Sequence, residues 1–221
     1  GLFKKVIIAD NLSTFVSPMF EAASTGVPIS FLEAWGGATA YTLQLYFDFS
    51  GYADMAIGVG RMFGIKLPLN FNSPYKSTSI IEFWSRWHLT LTRFFNVYLY
   101  TPITLHATRW RAKRSLSIST KDISDVGSIM FLLVWPTLIT LTLVGLWHGA
   151  GWTFILFGFL HGVAIVTNHL WRKVKTKIWR AKNNHLWSVF YSWFLTFVFL
   201  TITLLIFRAA NWDTALNILY G

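Results

Sequence analysis

Four long apolar runs restrict most strongly how this chain can fold. Phe31–Phe49, Ser128–Trp147 and Trp187–Phe207 are almost uninterrupted, and Trp152–Trp171 is a fourth run that contains two histidines. A helix of roughly 20 apolar residues crosses the hydrocarbon core of a bilayer, which is about 30 Å thick. With 54% hydrophobic and 13% charged residues, the chain is also too apolar for an ordinary soluble domain of 221 residues. We therefore predict an all-α fold, a polytopic transmembrane helical bundle in a lipid bilayer.

The basic residues are concentrated between the apolar runs. Of the 19 lysines and arginines, five lie in residues 105–127 and six in residues 171–186. The two runs between these loops predict a hairpin, so both loops emerge on one side, and the positive-inside rule makes that side cytoplasmic. The basic residues do not alternate with aromatic residues along one surface, so the net charge of +10 does not indicate nucleic-acid binding. Anchoring to anionic headgroups is a compatible role.

Two further segments predict amphipathic and re-entrant helices. Residues 1–22 mix charged and apolar side chains, which is typical of a helix lying at the membrane interface, and Pro28 follows its end. Three glycines within residues 58–64 predict close helix packing or a short re-entrant element. We expect residues 1–221 to form one membrane-embedded region without a separate soluble domain.

Two carboxylates interrupt the first apolar run near its end. Asp48 and Asp54 are six residues apart and do not align on a straight helix, so a joint site requires a break at Gly51. Capping of the broken helix ends is the simpler role for these side chains. The sequence therefore predicts an interrupted helix here.

Residues 79–100 predict one amphipathic helix. At about 100° per residue, Trp84 and His88 fall on an aromatic face, and a charged stripe lies opposite. Glu82 follows Ser79 by three residues, which is the spacing of a capping box at a helix N-terminus. His88 is either a second imidazole in a cavity, where it could polarise a carbonyl or orient an acceptor, or a packing residue.

His148 is the strongest candidate for a catalytic residue. It ends an apolar run, follows Trp147, and precedes Gly149 and Gly151, which we expect to let a substrate approach the backbone. A neutral imidazole can take a proton from an attacking hydroxyl and return it to a leaving group. Its spacing alone favours a histidine that only ties two helices together.

Other kinds of site are poorly supported by the residue types present. The chain has no cysteine, no Gly-x-Ser-x-Gly elbow and no closely spaced histidine pair, so we predict no thiol or serine nucleophile and no metal. Intramembrane Asp and His residues also occur along ion paths, so a transporter or channel remains an alternative. A structural module that docks an extracytoplasmic transferase is a third.

Five ordered motifs resemble those of the membrane-bound O-acyltransferase (MBOAT) family, and most resemble its bacterial alginate O-acetyltransferase branch. They are Tyr46–Gly58, Asn70–Tyr75, Glu82–His88, Tyr98–Tyr100 and Gly145–Ala150. Phe94–Val97 and Thr104–Thr108 depart from the pattern of that branch. The chain is about half the usual length, so we expect a fragment of a longer protein.

The resemblance implies a helical membrane fold that encloses a tunnel, with His148 as the catalytic residue and His88 as its active-site companion. Further residues of the motifs are expected to line the tunnel or support it: Trp147, Trp87, Trp84, Asp48, Asp54, Asn72 and Tyr75. The family implies no bound cofactor and a thioester donor, acetyl-CoA or an acylated carrier. It also implies an exported polysaccharide or cell-envelope acceptor, an extracytoplasmic acyltransferase partner and a bacterial inner-membrane location.

Overall fold

The computed structural model describes residues 1–178 and 186–221, and within that part the chain is helical without any β-strand. Its helices are α1 (Asp10–Ser24), α2 (Phe31–Met62), α3 (Ile80–Trp84), α4 (Leu89–Phe95), α5 (Thr101–Ala112), α6 (Val126–Ile129), α7 (Trp135–His148), α8 (Trp152–Ile178), α9 (Leu186–Arg208) and α10 (Trp212–Tyr220). Other helical turns are the π-helical Phe3–Ala9, Asn96–Tyr100 and Met130–Val134 and the 3-10 turn Pro74–Lys76. The predicted all-α fold is confirmed.

Three described segments are long and apolar enough to cross a membrane. They are Val126–His148, Trp152–Lys175 and Leu186–Arg208, and they coincide with three of the four predicted runs. The predicted span at Phe31–Phe49 is not among them. That run belongs to α2, a 32-residue helix in which glycine, alanine, threonine and charged residues dilute the apolar ones.

α2 is continuous where the sequence predicts a break. Gly51 lies within this helix and does not interrupt it. The absence of a side chain here lets the N-terminal helical segment pack closely, since a Cβ at this position would lie 3.2 Å from the Lys4 Cβ. The prediction that Asp48 and Asp54 cap broken helix ends is therefore wrong. Their carboxylates instead form ion pairs with Lys5 at 2.5 Å and Lys4 at 2.8 Å, respectively.

The glycine-rich end of α2 forms a helix C-terminus and not the predicted re-entrant element. Gly64 adopts a φ of 73°, in the left-handed region that glycine enters without steric cost. The Ile65 N–H donates to the Gly60 carbonyl at 2.8 Å, which is the long hydrogen bond of a Schellman-type helix end. The chain then leaves α2 as an extended connector toward α3.

α7 and α8 form an antiparallel hairpin whose backbones come close together at glycines. A Cβ on Gly158 would lie 3.0 Å from the backbone nitrogen of Gly145, so neither position has room for a larger residue. Small residues at such crossings permit the backbone contact that drives helix association in membranes. The hairpin ends at His148, in the tight connection between the two helices.

The described beginning of the second basic stretch contacts the first basic loop, as expected if the two runs between them form a hairpin. Lys173 at the end of α8 donates a hydrogen bond to the backbone carbonyl of Thr120. Arg111 is buried and donates to the hydroxyl of Ser128 at 2.9 Å, so this cation fixes the first loop against the spanning helix. The side chain of Lys177, and Arg180 and Lys182 as a whole, lie outside what the structure describes.

The largest buried apolar cluster joins the two ends of the chain. α1 packs on α2 and on α10, and α9 closes the cluster from the other side. The predicted helix at residues 1–22 is confirmed, with α1 ending at Ser24. The most deeply buried members of the cluster include Val16, Ala34, Ala38, Leu205, Ala215 and Ile218.

Candidate functional site

His88 occupies a break between two short helices. The predicted continuous helix over residues 79–100 is wrong, since α3 ends at Trp84 and α4 begins at Leu89. His88 itself has a φ of 44° and a ψ of 55°, a left-handed conformation that is uncommon outside glycine. The break is stabilised by the connector after α2, because the Leu89 N–H donates to the Asn70 carbonyl at 3.0 Å.

The predicted cap of the first short helix is only partly confirmed. The Ser79 hydroxyl accepts from the Glu82 N–H at 3.2 Å, as in a capping box. The Glu82 carboxylate, however, accepts from the backbone N–H of Thr78 at 2.8 Å and pairs with Arg86 at 2.8 Å. The cap therefore also ties Arg86, in the break, to the start of α3.

The side chain of Asn70 orients the His88 ring. Asn70 Oδ1 lies 3.1 Å from His88 Nδ1 and accepts from the Thr90 hydroxyl at 3.0 Å. Because this amide oxygen can only accept, Nδ1 carries the proton of the neutral ring, and the lone pair is on Nε2. Sequence reasoning missed Asn70 and selected Asn72, whose side chain is exposed. The connector motif contains both, and only their contacts distinguish them.

His88 does not share a face with the tryptophans named with it. Its ring meets Phe49 of α2 edge-on at 4.7 Å and lies 6.3 Å from Phe71. Partial burial lowers the pKa of His88 below its ordinary value of 6.5, and the nearby His148 ring lowers it further. The two predicted histidines are therefore brought close enough to interact electrostatically.

His148 lies in the last turn of α7, between two aromatic rings. Trp147 is at 4.9 Å and Phe207 of α9 is at 5.1 Å between ring centroids, both edge-on. The expectation that Gly149 opens the backbone to substrate is wrong, because the ring of Phe154 fills that space. His148 itself stays exposed.

The predicted supporting aromatics divide into two groups. Trp147 meets Phe95 of α4 at 5.9 Å, which links the His148 end of α7 to the helix that follows His88. Trp87, which precedes His88 in the break, stacks against Tyr75 with ring centroids 6.1 Å apart. The Tyr75 hydroxyl donates to the Thr42 carbonyl of α2 at 2.6 Å, so this group is anchored to a long helix.

Asp48 and Asp54 are not brought into this site. Their side chains are 45% and 42% exposed and face the lysines of the N-terminal helical segment. Exposed ion pairs of this kind contribute about 0–1 kcal/mol to stability. In this structure the two carboxylates hold one helix against another and contact neither histidine.

A cavity of about 310 Å³ lies between the α3–α5 segment and the α7–α8 hairpin. Its wall is mostly apolar, and the buried hydroxyl of Thr140 has no hydrogen-bond partner among the described residues. His169 lines it near the basic loops, and Val144 lines it one turn before His148. Trp84 forms part of the wall.

Comparison with known proteins agrees with the motif resemblance. The membrane-bound O-acyltransferase family, MBOAT, matches residues 1–118. A peptidoglycan O-acetyltransferase of Helicobacter pylori is 42% identical over 222 residues, which covers 100% of this chain and 37% of that protein. A protein named as a probable alginate O-acetylase of Pseudomonas aeruginosa is 38% identical over 217 residues, covering 97% of this chain and 35% of its own length.

A more distant relative carries a different acyl group in its name. A teichoic acid D-alanyltransferase of Streptococcus thermophilus is 30% identical over 178 residues, covering 80% of this chain and 40% of that protein. The chain thus spans well under half the length of each of these relatives. Together with the family match over residues 1–118, these similarities establish that the chain belongs to the membrane-bound O-acyltransferase family.

Proposed function

We propose that the protein moves an acyl group, acetyl in the first instance, from a thioester donor to a hydroxyl of an exported polysaccharide or cell-envelope polymer. One observation carries this proposal: His88 lies within electrostatic range of His148, and Trp147 beside His148 contacts Phe95 of the helix that follows His88. Relatives named as O-acetyltransferases of peptidoglycan and alginate support the class of reaction.

His148 acts as the general base and acid. It takes the proton of the acceptor hydroxyl while that oxygen attacks the carbonyl carbon of the thioester. The tetrahedral intermediate then expels the thiolate as the C–S bond breaks, and His148 returns the proton to the sulfur. The last turn of α7 suits this role, because a helix C-terminus favours the positive charge that the ring gains in between.

His88 orients the acceptor. With its Nδ1 proton directed to Asn70, the neutral ring presents the lone pair of Nε2 and can accept a hydrogen bond from a hydroxyl of the acceptor next to the one that His148 deprotonates. Polarising the thioester carbonyl would require a proton on Nε2, so the tautomer favours orientation of the acceptor over polarisation of a carbonyl. Orientation of reacting groups is itself a large part of catalysis.

The donor arm enters through the cavity between α3–α5 and the hairpin. This cavity extends from His169, near the basic loops, to Val144, near the catalytic end. Basic residues beyond its His169 end, such as Lys173, suit an anionic donor such as acetyl-CoA or an acylated carrier protein, and the unpartnered hydroxyl of Thr140 suits a polar group on the donor arm. Transfer then runs from the cytoplasmic side toward an acceptor on the other side.

The direction of transfer also determines where we place the protein and which partners we expect. We place the protein in the bacterial inner membrane as a multi-pass protein, with both basic loops in the cytoplasm. On the other side of the membrane, the acyl group is received at the His148 end either by the polymer itself or by an extracytoplasmic acyltransferase partner.

The experiment compares polymer acylation by the full-length protein and by His148→Gln. We expect the variant to lose acyl transfer by a factor of about 100 or more, since general acid–base catalysis contributes about 10²–10⁴. His106→Gln is the matched control, because His106 is exposed on α5 and away from the histidine pair. Undiminished acylation in His148→Gln contradicts the proposal, and a loss of ion or solute flux without loss of acylation favours the transporter alternative.

A further inference from the structure

A third histidine lies wholly inside the bundle. His161, in the middle of α8, has 0% of its surface exposed, although it belongs to a segment able to span a membrane. A polar ring in such a position must have its hydrogen-bonding groups satisfied or it destabilises the fold. Its ring atoms therefore indicate what it does.

Both ring nitrogens of His161 have partners, and the partners fix its protonation. The Trp84 indole N–H can only donate, and it lies 3.1 Å from His161 Nδ1, which must accept. His161 Nε2 then carries the proton and donates to the Thr203 hydroxyl at 3.1 Å. Thr203 in turn donates to the Phe199 carbonyl at 3.0 Å. The chain of bonds joins α3, α8 and α9 and ends on a helix backbone.

One line of ring contacts leads from His161 to His148. Phe157, one turn earlier on α8, lies 4.4 Å from the His161 ring. Phe157 meets Phe207 at 5.0 Å, and Phe207 meets His148 at 5.1 Å. His161 is thus connected to the proposed catalytic base through two phenylalanine rings in direct contact.

A second line of contacts leads from His161 to His88. The ring of Phe83 lies 6.3 Å from His161 and stacks on Trp87 at 5.5 Å. Trp87 meets Phe71 at 5.0 Å, and Phe71 lies 6.3 Å from His88. Both histidines of the site therefore rest on aromatic groups that converge on one buried side chain.

We infer that His161 is a positioning residue for acyl transfer: by hydrogen bonding Trp84 and Thr203, it holds α3 against α8 and α9 and so fixes the cavity wall and the two histidines relative to each other. This inference rests on the proposed function. His161 carries no proton in the reaction, because both nitrogens are used in a bond chain that ends at a backbone carbonyl.

The test uses the full-length protein in detergent or vesicles, with kcat and KM for the thioester donor measured per folded molecule. His161→Leu keeps an apolar volume but removes both hydrogen bonds, and we expect kcat to fall by about 10-fold to 100-fold. His161→Gln is the conservative variant, since its amide oxygen can accept from Trp84 and its amide nitrogen can donate to Thr203. We expect it to stay within about threefold of the wild type.

A double-mutant cycle tests whether His161 acts through Trp84. We expect Trp84→Phe with His161→Leu to be no slower than His161→Leu alone, because both changes remove the same bond. Thr203→Val and Thr203→Ser provide a second pair of variants. We expect Thr203→Ser, which keeps the hydroxyl, to retain the wild-type kcat and Thr203→Val to lose it. This pair applies even where His161→Leu fails to fold.

The outcomes separate this inference from the proposed function. Variants that melt at lower temperature but keep the wild-type kcat per folded molecule overturn it, because His161 would then be structural only. So would full additivity in the cycle. His148→Gln is assayed in parallel: if that variant transfers acyl groups normally, the proposed function fails, whatever His161→Leu does.

Discussion

Asn70 Oδ1 lies 3.1 Å from Nδ1 of His88, and this contact sets which nitrogen of the ring is available for chemistry. The same oxygen accepts from the Thr90 backbone and hydroxyl, so it is held in place by the start of α4. A connector residue and a helix break therefore form one unit, although they are 18 residues apart in sequence.

We expect Asn70→Ala to lower kcat for acyl transfer by about 5-fold to 100-fold. The loss of this bond leaves His88 free to rotate and to change tautomer, and removing one partner of a buried hydrogen bond costs about 1–3 kcal/mol. Asn72→Ala is the matched control, because the Asn72 side chain is exposed and its backbone alone bonds Arg86. Steady-state kinetics decide the matter: equal rates in the two variants would show that the Asn70 side chain does not orient His88.

Because the backbone of His88 is left-handed, different substitutions at this position can separate effects on stability from effects on catalysis. We expect His88→Asn to keep the melting temperature of the wild type and lose transfer, since asparagine tolerates positive φ but has no imidazole. His88→Val should unfold more easily by about 1–3 kcal/mol, because a β-branched residue is strained there. Thermal melting and acyl-transfer assays on the same preparations distinguish the two effects. Normal transfer by His88→Asn would remove His88 from the mechanism.

The sequence predicted the helical class, three spans and the hairpin because each depends on local apolar length or on the order of charges along the chain. It failed at Gly51 and at residues 79–100 because the deciding contacts come from elsewhere in the chain. Lys4 packs over Gly51, and Asn70 bonds the start of α4, and neither contact leaves a periodic signal. The same limit explains why Asn72 was selected instead of Asn70.

The lowered pKa of His88 predicts a pH dependence of stability. Above pH 6.5 the ring is neutral in both the folded and the unfolded protein. As the pH falls, the unfolded chain binds a proton first, because the folded state disfavours the charged ring, so stability decreases through the folded pKa. When the pH is lowered from 7.5 to 5.5, we expect the melting temperature of the wild type to fall more than that of His88→Asn. A difference that stays constant or reverses would contradict the burial of a neutral ring.

The closest point of the hairpin gives the last prediction. A Cβ at Gly158 would press on the backbone carbonyl of Leu141 and lie 3.0 Å from the Gly145 nitrogen, and backbone atoms cannot move aside as a flexible side chain can. We expect Gly158→Ala to separate α7 from α8, lower the melting temperature and reduce acyl transfer, since His148 is carried by α7. Gly36→Ala is the matched control within another helix: a Cβ there meets nothing within 4 Å, and alanine favours a helix by up to about 1 kcal/mol over glycine. We therefore expect Gly36→Ala to melt at or above the wild-type temperature with full activity. If Gly158→Ala behaved in the same way, the hairpin would tolerate a wider spacing, and close packing of its backbones could not be what positions His148.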